Sequence, residues 1–257
     1  MKKIWLILSL VPTLLVAQEK EGGFNNIDQR QKTANNAVAF SAFYGAEFPV
    51  GVLQKRATFV SSIGAQFLYR MRHNWMIGAE GSFLYASKSK ERPDTAIATH
   101  DGPHITQNGD LTDINPSING FALYGFASKL FPFKKEKAPG TGIVVKLGVG
   151  FLQHKILYNI NPQSLPQFDK NYRTGYDRMT NGAAISVFAG IMRMERHKYF
   201  NFYFGPQFDL AFTQNRRPWD FAEMRQISDK RIDMMVGIKF GLLVPVFLNK
   251  DSEVIYR

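Results

Sequence analysis

The 257-residue sequence contains no cysteine, which excludes disulfide scaffolds, thiolate metal sites and cysteine nucleophiles. It also lacks long apolar runs. The longest, Ile4 to Val16, is interrupted by Ser9, Pro12 and Thr13. At roughly 13 residues it falls short of the ~20 that a membrane-spanning helix needs. The mean hydropathy of −0.20 is too low for a helical polytopic membrane protein. Acidic residues are scarce beside basic ones, 21 Asp and Glu against 32 Lys and Arg, for a formal charge of +11. What the chain has instead is 22 Phe and 21 Gly. Disordered chains are poor in aromatics, so this composition requires a fold that hides rings without long apolar stretches. The length suits one domain of barrel or sandwich size, or two small ones.

Lys2 and Lys3 precede the apolar run, and Ala17-Gln18 leads into the polar Glu19-Lys20-Glu21. This is the layout of a secretory signal peptide over residues 1–17, cleaved near Ala17–Gln18. The absence of cysteine after it excludes a lipoprotein anchor. Loss of the two lysines lowers the charge from +11 to +9. Residues 18–36 are polar and Gly/Asn/Gln-rich, and read as a flexible periplasmic segment.

Period-two alternation then recurs to the end of the chain, the signature of half-buried strands. Eight segments show it: 37–48, 57–71, 75–87, 118–131, 142–157, 181–193, 199–213 and 232–247. In 199–213, Phe200, Phe202, Phe204, Phe208, Leu210 and Phe212 share one face, opposite Asn201, Tyr203, Gly205, Gln207, Asp209, Ala211 and Thr213. In 118–131 the apolar face is read as Ile118, Ala122, Tyr124, Phe126 and Leu130. The connections alternate between short ones, at 73–74, 132–140 and 195–198, and mostly long ones, at 49–56, 88–117, 158–180 and 214–230. Outer-membrane barrels show this asymmetry, with short periplasmic turns and long extracellular loops.

Alternation alone does not say which face is inside; volume does. The interior of an eight-stranded barrel is just wide enough for side chains to fill, and a strand carrying five Phe and a Leu on one face would crowd it. The opposite faces are rich in Gly, Ser and Ala and hold few charges. That suits a narrow lumen better than the solvated exterior of a lipocalin-like barrel, the soluble alternative. A closed barrel also pairs every backbone group without an open edge, as a bilayer demands.

The fold class expected is therefore all-β, an eight-stranded antiparallel transmembrane β-barrel over residues 37–248, with a periplasmic tail at 249–257. The signal, the eight segments and the loop rhythm resemble the small outer-membrane barrels of the OmpA transmembrane-domain and OmpX type. The Val16-Ala17-Gln18 signal end and the lack of cysteine look like porin-family barrels of Bacteroidota, some of which serve type IX secretion. Such barrels commonly end on an aromatic residue in the last strand. Here Phe247 lies near the strand end, but Asn249–Arg257 follows.

The lumen-side ionisable residues are Glu80, Lys146, Asp209, Asp233 and Lys239. Unpaired charges in a narrow lumen are costly, so pairing is expected. The resulting network acts either as a rigid plug or, as the OmpA resemblance implies, as a switchable pair gating a narrow pore. Long-loop cations, among them Lys88, Lys90, Arg92, Arg173, Arg178, Arg216 and Arg217, form a solvated surface or a rim for lipopolysaccharide phosphates, which Arg pairs in bidentate fashion. Trp75, Tyr85, Phe131, Phe133, Tyr199 and Phe247 suit interfacial girdles, and Trp219 suits a loop-packing cluster. His100 and His104 share a loop, but an H-x3-H spacing without a support shell is a weak metal signal. No Gly-x-Ser-x-Gly elbow is present.

The expectation is a structural or interactive outer-membrane protein reached by Sec-dependent export, with no catalytic residues, metal or cofactor. Its expected partners are outer-membrane lipids and envelope or secretion proteins, not nucleic acid. A narrow ion channel and a lipid-A-modifying enzyme are the alternatives.

Overall fold

The computed structural model describes residues 36–133, 140–158, 160, 165, 168, 170–196 and 199–248. The expected signal (1–17), the lead-in apart from Asn36, the tail (249–257), and Lys134-Lys135-Glu136-Lys137 and His197 of the expected short connections lie outside them.

The strands are β1 (Ala37–Gly51), β2 (Val60–Arg70), β3 (Trp75–Ala86), a short hairpin of β4 (His104–Ile105) and β5 (Leu111–Thr112), β6 (Ser117–Pro132), β7 (Thr141–Leu157), β8 (Thr180–Arg193), β9 (Asn201–Asn215) and β10 (Lys230–Phe247). The eight long strands close an antiparallel barrel in the order β1-β10-β9-β8-β7-β6-β3-β2. Closure is by β1 against β10, from Ala37↔Phe247 to Gly51↔Asp233. The barrel strands run from 11 to 18 residues, while ~9–11 residues suffice to cross a bilayer. They therefore project past the apolar zone, and all of the extended loops lie at one end.

The outer wall is apolar on every long strand. Phe40 is 57%, Ile63 63%, Val149 64% and Val244 59% exposed. Outward aromatic neighbours meet across strands: Phe40–Phe67 at 5.3 Å, Phe121–Phe151 at 5.9 Å and Phe202–Phe240 at 6.4 Å. An apolar surface this continuous has no place in water; it is the lipid-facing band of a transmembrane barrel. At the short-turn end, Lys129 lies over Trp75 and Phe131 at 4.9 and 5.6 Å from their ring centres, as a girdle with a snorkelling cation would.

One expected face is inverted. Ile118, Ala122, Tyr124, Phe126 and Leu130 of β6 point into the lumen and are buried, while Phe121, Leu123 and Phe131 face out. Both faces of this strand are apolar, so alternation carries no sign there; pairing of Phe121 with Phe83 and of Gly120 with His154 sets it.

Lumen-facing glycines leave room for bulky neighbours. A Cβ added to Gly241 would lie 2.3 Å from two ring carbons of Tyr203, itself 1% exposed. Gly241→Ala is expected to destabilise the barrel by about 1–3 kcal/mol through overpacking, read as a lower urea midpoint of unfolding in lipid vesicles. Gly125→Ala, with its nearest neighbour 4.0 Å away, should shift the midpoint far less.

Candidate functional site

The lumen is filled in layers. Toward the short turns, Phe43, Leu68, Met76, Phe126, Leu130, Phe188, Met192 and Tyr203 belong to one buried apolar cluster. Toward the long loops, Leu53, Val60, Leu84, Ile118, Tyr124, Leu152 and Met235 belong to a second. Between them sits a charged layer. Glu80 of β3 takes Lys146 of β7 on Oε2 and Lys239 of β10 on Oε1, the latter at 3.0 Å. Lys146 also bonds Gln66 Oε1 at 3.3 Å and lies 4.9 Å from the Phe126 ring centre. Lys239 lies 4.2 Å from that of Phe43. A void beside Lys146 measures about 10 Å³, room for one water at most.

Three predicted lumen residues thus converge. Asp209 belongs to the same layer without a direct ion pair among the described residues, and accepts from Gln207 Nε2 at 2.6 Å. Asp233 lies higher and accepts from Thr213 Oγ1 at 2.5 Å and from His154 Nε2 at 3.0 Å. The charged layer also holds a residue outside the predicted set. Glu47 is buried on the lumen face of β1 and accepts from Ser62 Oγ at 2.6 Å. Its signal was available, because it alternates with Phe48 and Ala46 on the same segment.

The long-loop end carries a cap. Arg56, on the loop 52–59, is 2% exposed. It donates to Glu91 Oε2 at 2.6 Å, to Thr180 Oγ1 at 2.9 Å and to the Arg178 carbonyl at 3.2 Å. Its Nη1 also lies 3.3 Å from His154 Nδ1. A guanidinium has only donors, so His154 accepts at Nδ1 and donates from Nε2 to Asp233. The second ring nitrogen therefore meets a cation, with no nucleophile. Arg178 joins three loops through Glu91 at 2.5 Å, Asp220 at 2.7 Å and Glu223 at 2.9 Å. Burial acts to raise the Glu91 carboxyl, but Arg56 and Arg178 outweigh it and hold the group below its usual range. Arg217 is paired to Asp177 and Arg92 to Asp94 at 2.8 Å.

Three of the predicted rim cations, Arg92, Arg178 and Arg217, are thus taken by acids of the loops themselves. Arg173 donates to the Phe168 carbonyl at 3.2 Å, and Lys90 to that of Gln54 at 3.3 Å. Arg216 donates to Asn181 Oδ1 at 2.7 Å and is exposed. Lys88 is exposed.

Over the network lies a third apolar cluster of Ile114, Ile156, Tyr158, Leu165, Phe168 and Tyr176, with Phe221 packed against it. Trp219, expected in such a cluster, is instead 44% exposed; its neighbour Phe221 takes the inward place, 5.6 Å from Tyr176. His104 is buried in this region, with Nε2 at 3.1 Å from the Asp94 carbonyl and its ring edge-on to Phe168. Among the described residues no three His, Asp or Glu side chains are grouped to hold a metal.

These features define a class: a small eight-stranded antiparallel β-barrel of the outer-membrane type, with a filled lumen and a folded cap. The chain matches no family model and no curated protein. Among solved structures it is similar to Neisserial surface protein A, at 9% identity over 82% of this chain and 99% of that one, TM-score 0.44. It is also similar to the N-terminal barrel domain of Pseudomonas aeruginosa OprF, at 13% identity over 81% and 98%, TM-score 0.36. A third similarity is to Ail of Yersinia pestis, at 12% identity over 82% and 100%, TM-score 0.40.

Proposed function

We propose that the protein resides in the outer membrane and has a structural and interactive role there, as an envelope anchor or as a component of a surface or secretion assembly. The observation that carries this reading is the filled lumen: a charged layer centred on Glu80 lies between two buried apolar clusters, beneath a cap cross-linked by Arg56 and Arg178. An ion crossing such a barrel would have to displace both apolar layers as well as the ion pairs, which favours a plug over a gate. The working surfaces are then the outer wall, the loops and the periplasmic segments.

The purified barrel in planar bilayers is expected to show no steps of conductance above background, and Lys239→Met is expected to leave that silence unchanged. Regular single-channel openings in the wild type that Lys239→Met alters would overturn the reading in favour of a gated pore. Fractionation with outer membranes, heat-modifiable gel migration and co-purification of an envelope protein after mild detergent extraction are the expected positive results. Lipid A of unchanged mass with and without the protein is expected as well.

A further inference from the structure

Strand register gathers polar and basic side chains on one sector of the outer wall, just above the lipid-facing band. Gln153 of β7 pairs with Asn181 of β8, Asn181 with Gln214 of β9, and Gln214 with Lys230 of β10. Lys155 of β7 stands one outward position above Gln153 and is paired in register with Asn119 of β6. Arg216 follows Gln214 on the same side, and its bond to Asn181 Oδ1 at 2.7 Å holds the guanidinium along the barrel wall. Immediately below, the outward residues become apolar: Phe121, Phe151, Ala183, Phe212 and Ile232.

Two contrasts give this sector meaning. The same level on β1 to β3 is aromatic or aliphatic, with Phe48, Val50, Phe59 and Tyr85 exposed and Phe48 and Phe59 in edge contact at 5.5 Å. The second contrast is in pairing. Arg92, Arg178 and Arg217 are held by loop carboxylates. Lys155 and Lys230 have no ion pair or hydrogen bond among the described residues, and Arg216 bonds only a neutral amide.

We propose that Lys155, Arg216 and Lys230 form a binding site on the outer wall of β7 to β10 for the phosphorylated headgroup of an outer-leaflet lipid. Cations next to a bilayer attract anionic headgroups, and the fork of an arginine matches the geometry of phosphate oxygens. The apolar residues below would receive the acyl chains of the same lipid, so headgroup and chains meet complementary surfaces on one face of one molecule. The site rests on the outer-membrane reading above.

The test uses the full folded barrel in neutral detergent micelles, with bis-phosphorylated lipid A and its dephosphorylated form as probes and native mass spectrometry as the readout. Each charge near the surface contributes on the order of a fivefold change in affinity, so the triple variant Lys155→Gln, Arg216→Gln, Lys230→Gln should weaken phosphorylated lipid binding by roughly 100-fold. Dephosphorylated lipid should bind wild type and variant alike. Lys55→Gln, exposed on the loop 52–59, should leave both unchanged. The proposal is overturned if the triple variant retains phosphorylated lipid as the wild type does, or if Lys55→Gln loses as much per charge. Displacement of the lipid by equimolar inorganic phosphate would also overturn it, in favour of a site for free anions. Should the triple variant fail to show heat-modifiable migration, Lys155→Gln and Lys230→Gln singly carry the test, since neither side chain makes an ion pair or hydrogen bond among the described residues. A barrel that fractionates with outer membranes yet shows no preference for phosphorylated lipid sinks this site alone. A barrel absent from outer membranes sinks the functional reading beneath it.

Discussion

Replacing Glu80 with Gln should cost the barrel about 3–5 kcal/mol of stability, the usual effect of stripping one partner from a buried ion pair. Glu80 is 5%, Lys146 4% and Lys239 2% exposed, and both ammonium groups rest on this one carboxylate. Its loss leaves two buried cations without their direct ion-pair partner, beside Gln66, the rings of Phe43, Phe126 and Phe188, and the more distant Glu47 and Asp209 of the same layer. Lys146→Met alone should cost less, because Glu80 keeps Lys239. Well-packed apolar substitutes for a whole buried network are often neutral or stabilising. The triple change Glu80→Met, Lys146→Met, Lys239→Met should therefore recover part of the loss, since it also takes the Lys239 charge away from Glu47 and Asp209. Urea unfolding in vesicles, followed by gel migration of unheated samples, measures all three. A Glu80→Gln midpoint equal to the wild type's would show that the layer is wet and the charges screened.

The second large effect lies in the cap. Arg56→Ala should cost about 3 kcal/mol, at the lower end for a buried pair because the Glu91 partner is 23% exposed. The loss should be local. The loops 52–59, 87–116 and 158–179 meet through Arg56, Glu91 and Arg178, whereas the barrel strands are held by their own register. Limited trypsin digestion is therefore expected to cleave the loops of the variant quickly and leave the strands intact, the behaviour of a unit that opens apart from the global fold. Acid should mimic the mutation. Glu91 is held below its usual range in the folded cap, so its contribution is present above the ordinary carboxylate pKa and is lost as pH falls through the depressed value. Protonation of His154 acts in the same direction, since a second N–H would then face the Arg56 guanidinium. Loop cleavage with an acid-active protease should rise toward low pH in the wild type and rise less steeply in Arg56→Ala, where Glu91 keeps only Arg178. A wild-type cap equally resistant at all pH values would remove the charged network from any role in holding it.

Much of the wall was legible in one dimension. The faces of 199–213 and 232–247 alternate without ambiguity, and β9 and β10 expose the expected Phe204, Phe208, Phe212, Val236, Ile238 and Phe240. Segment 118–131 was not legible, because two apolar faces give a pattern without a sign. The ionisable residues of the lumen were found by their position opposite the Phe-rich faces. Glu47 obeys the same rule, but lies among the small residues of its face. Arg56 had no such rule to obey. It lies on a loop, where sequence predicts solvent, and only the convergence of three other segments buries it.

Composition and period by themselves determined that this chain closes into an eight-stranded barrel with its rings outward, because each residue's face follows from its parity and each face's destination from volume and polarity. Which charges meet was decided by tertiary structure alone. Glu80 and Lys239 are 159 positions apart, and Arg56 and Thr180 are 124; only closure and loop folding set such distances. The same closure separated the cations already neutralised by loop acids from those left facing the membrane, a distinction that net charge does not contain.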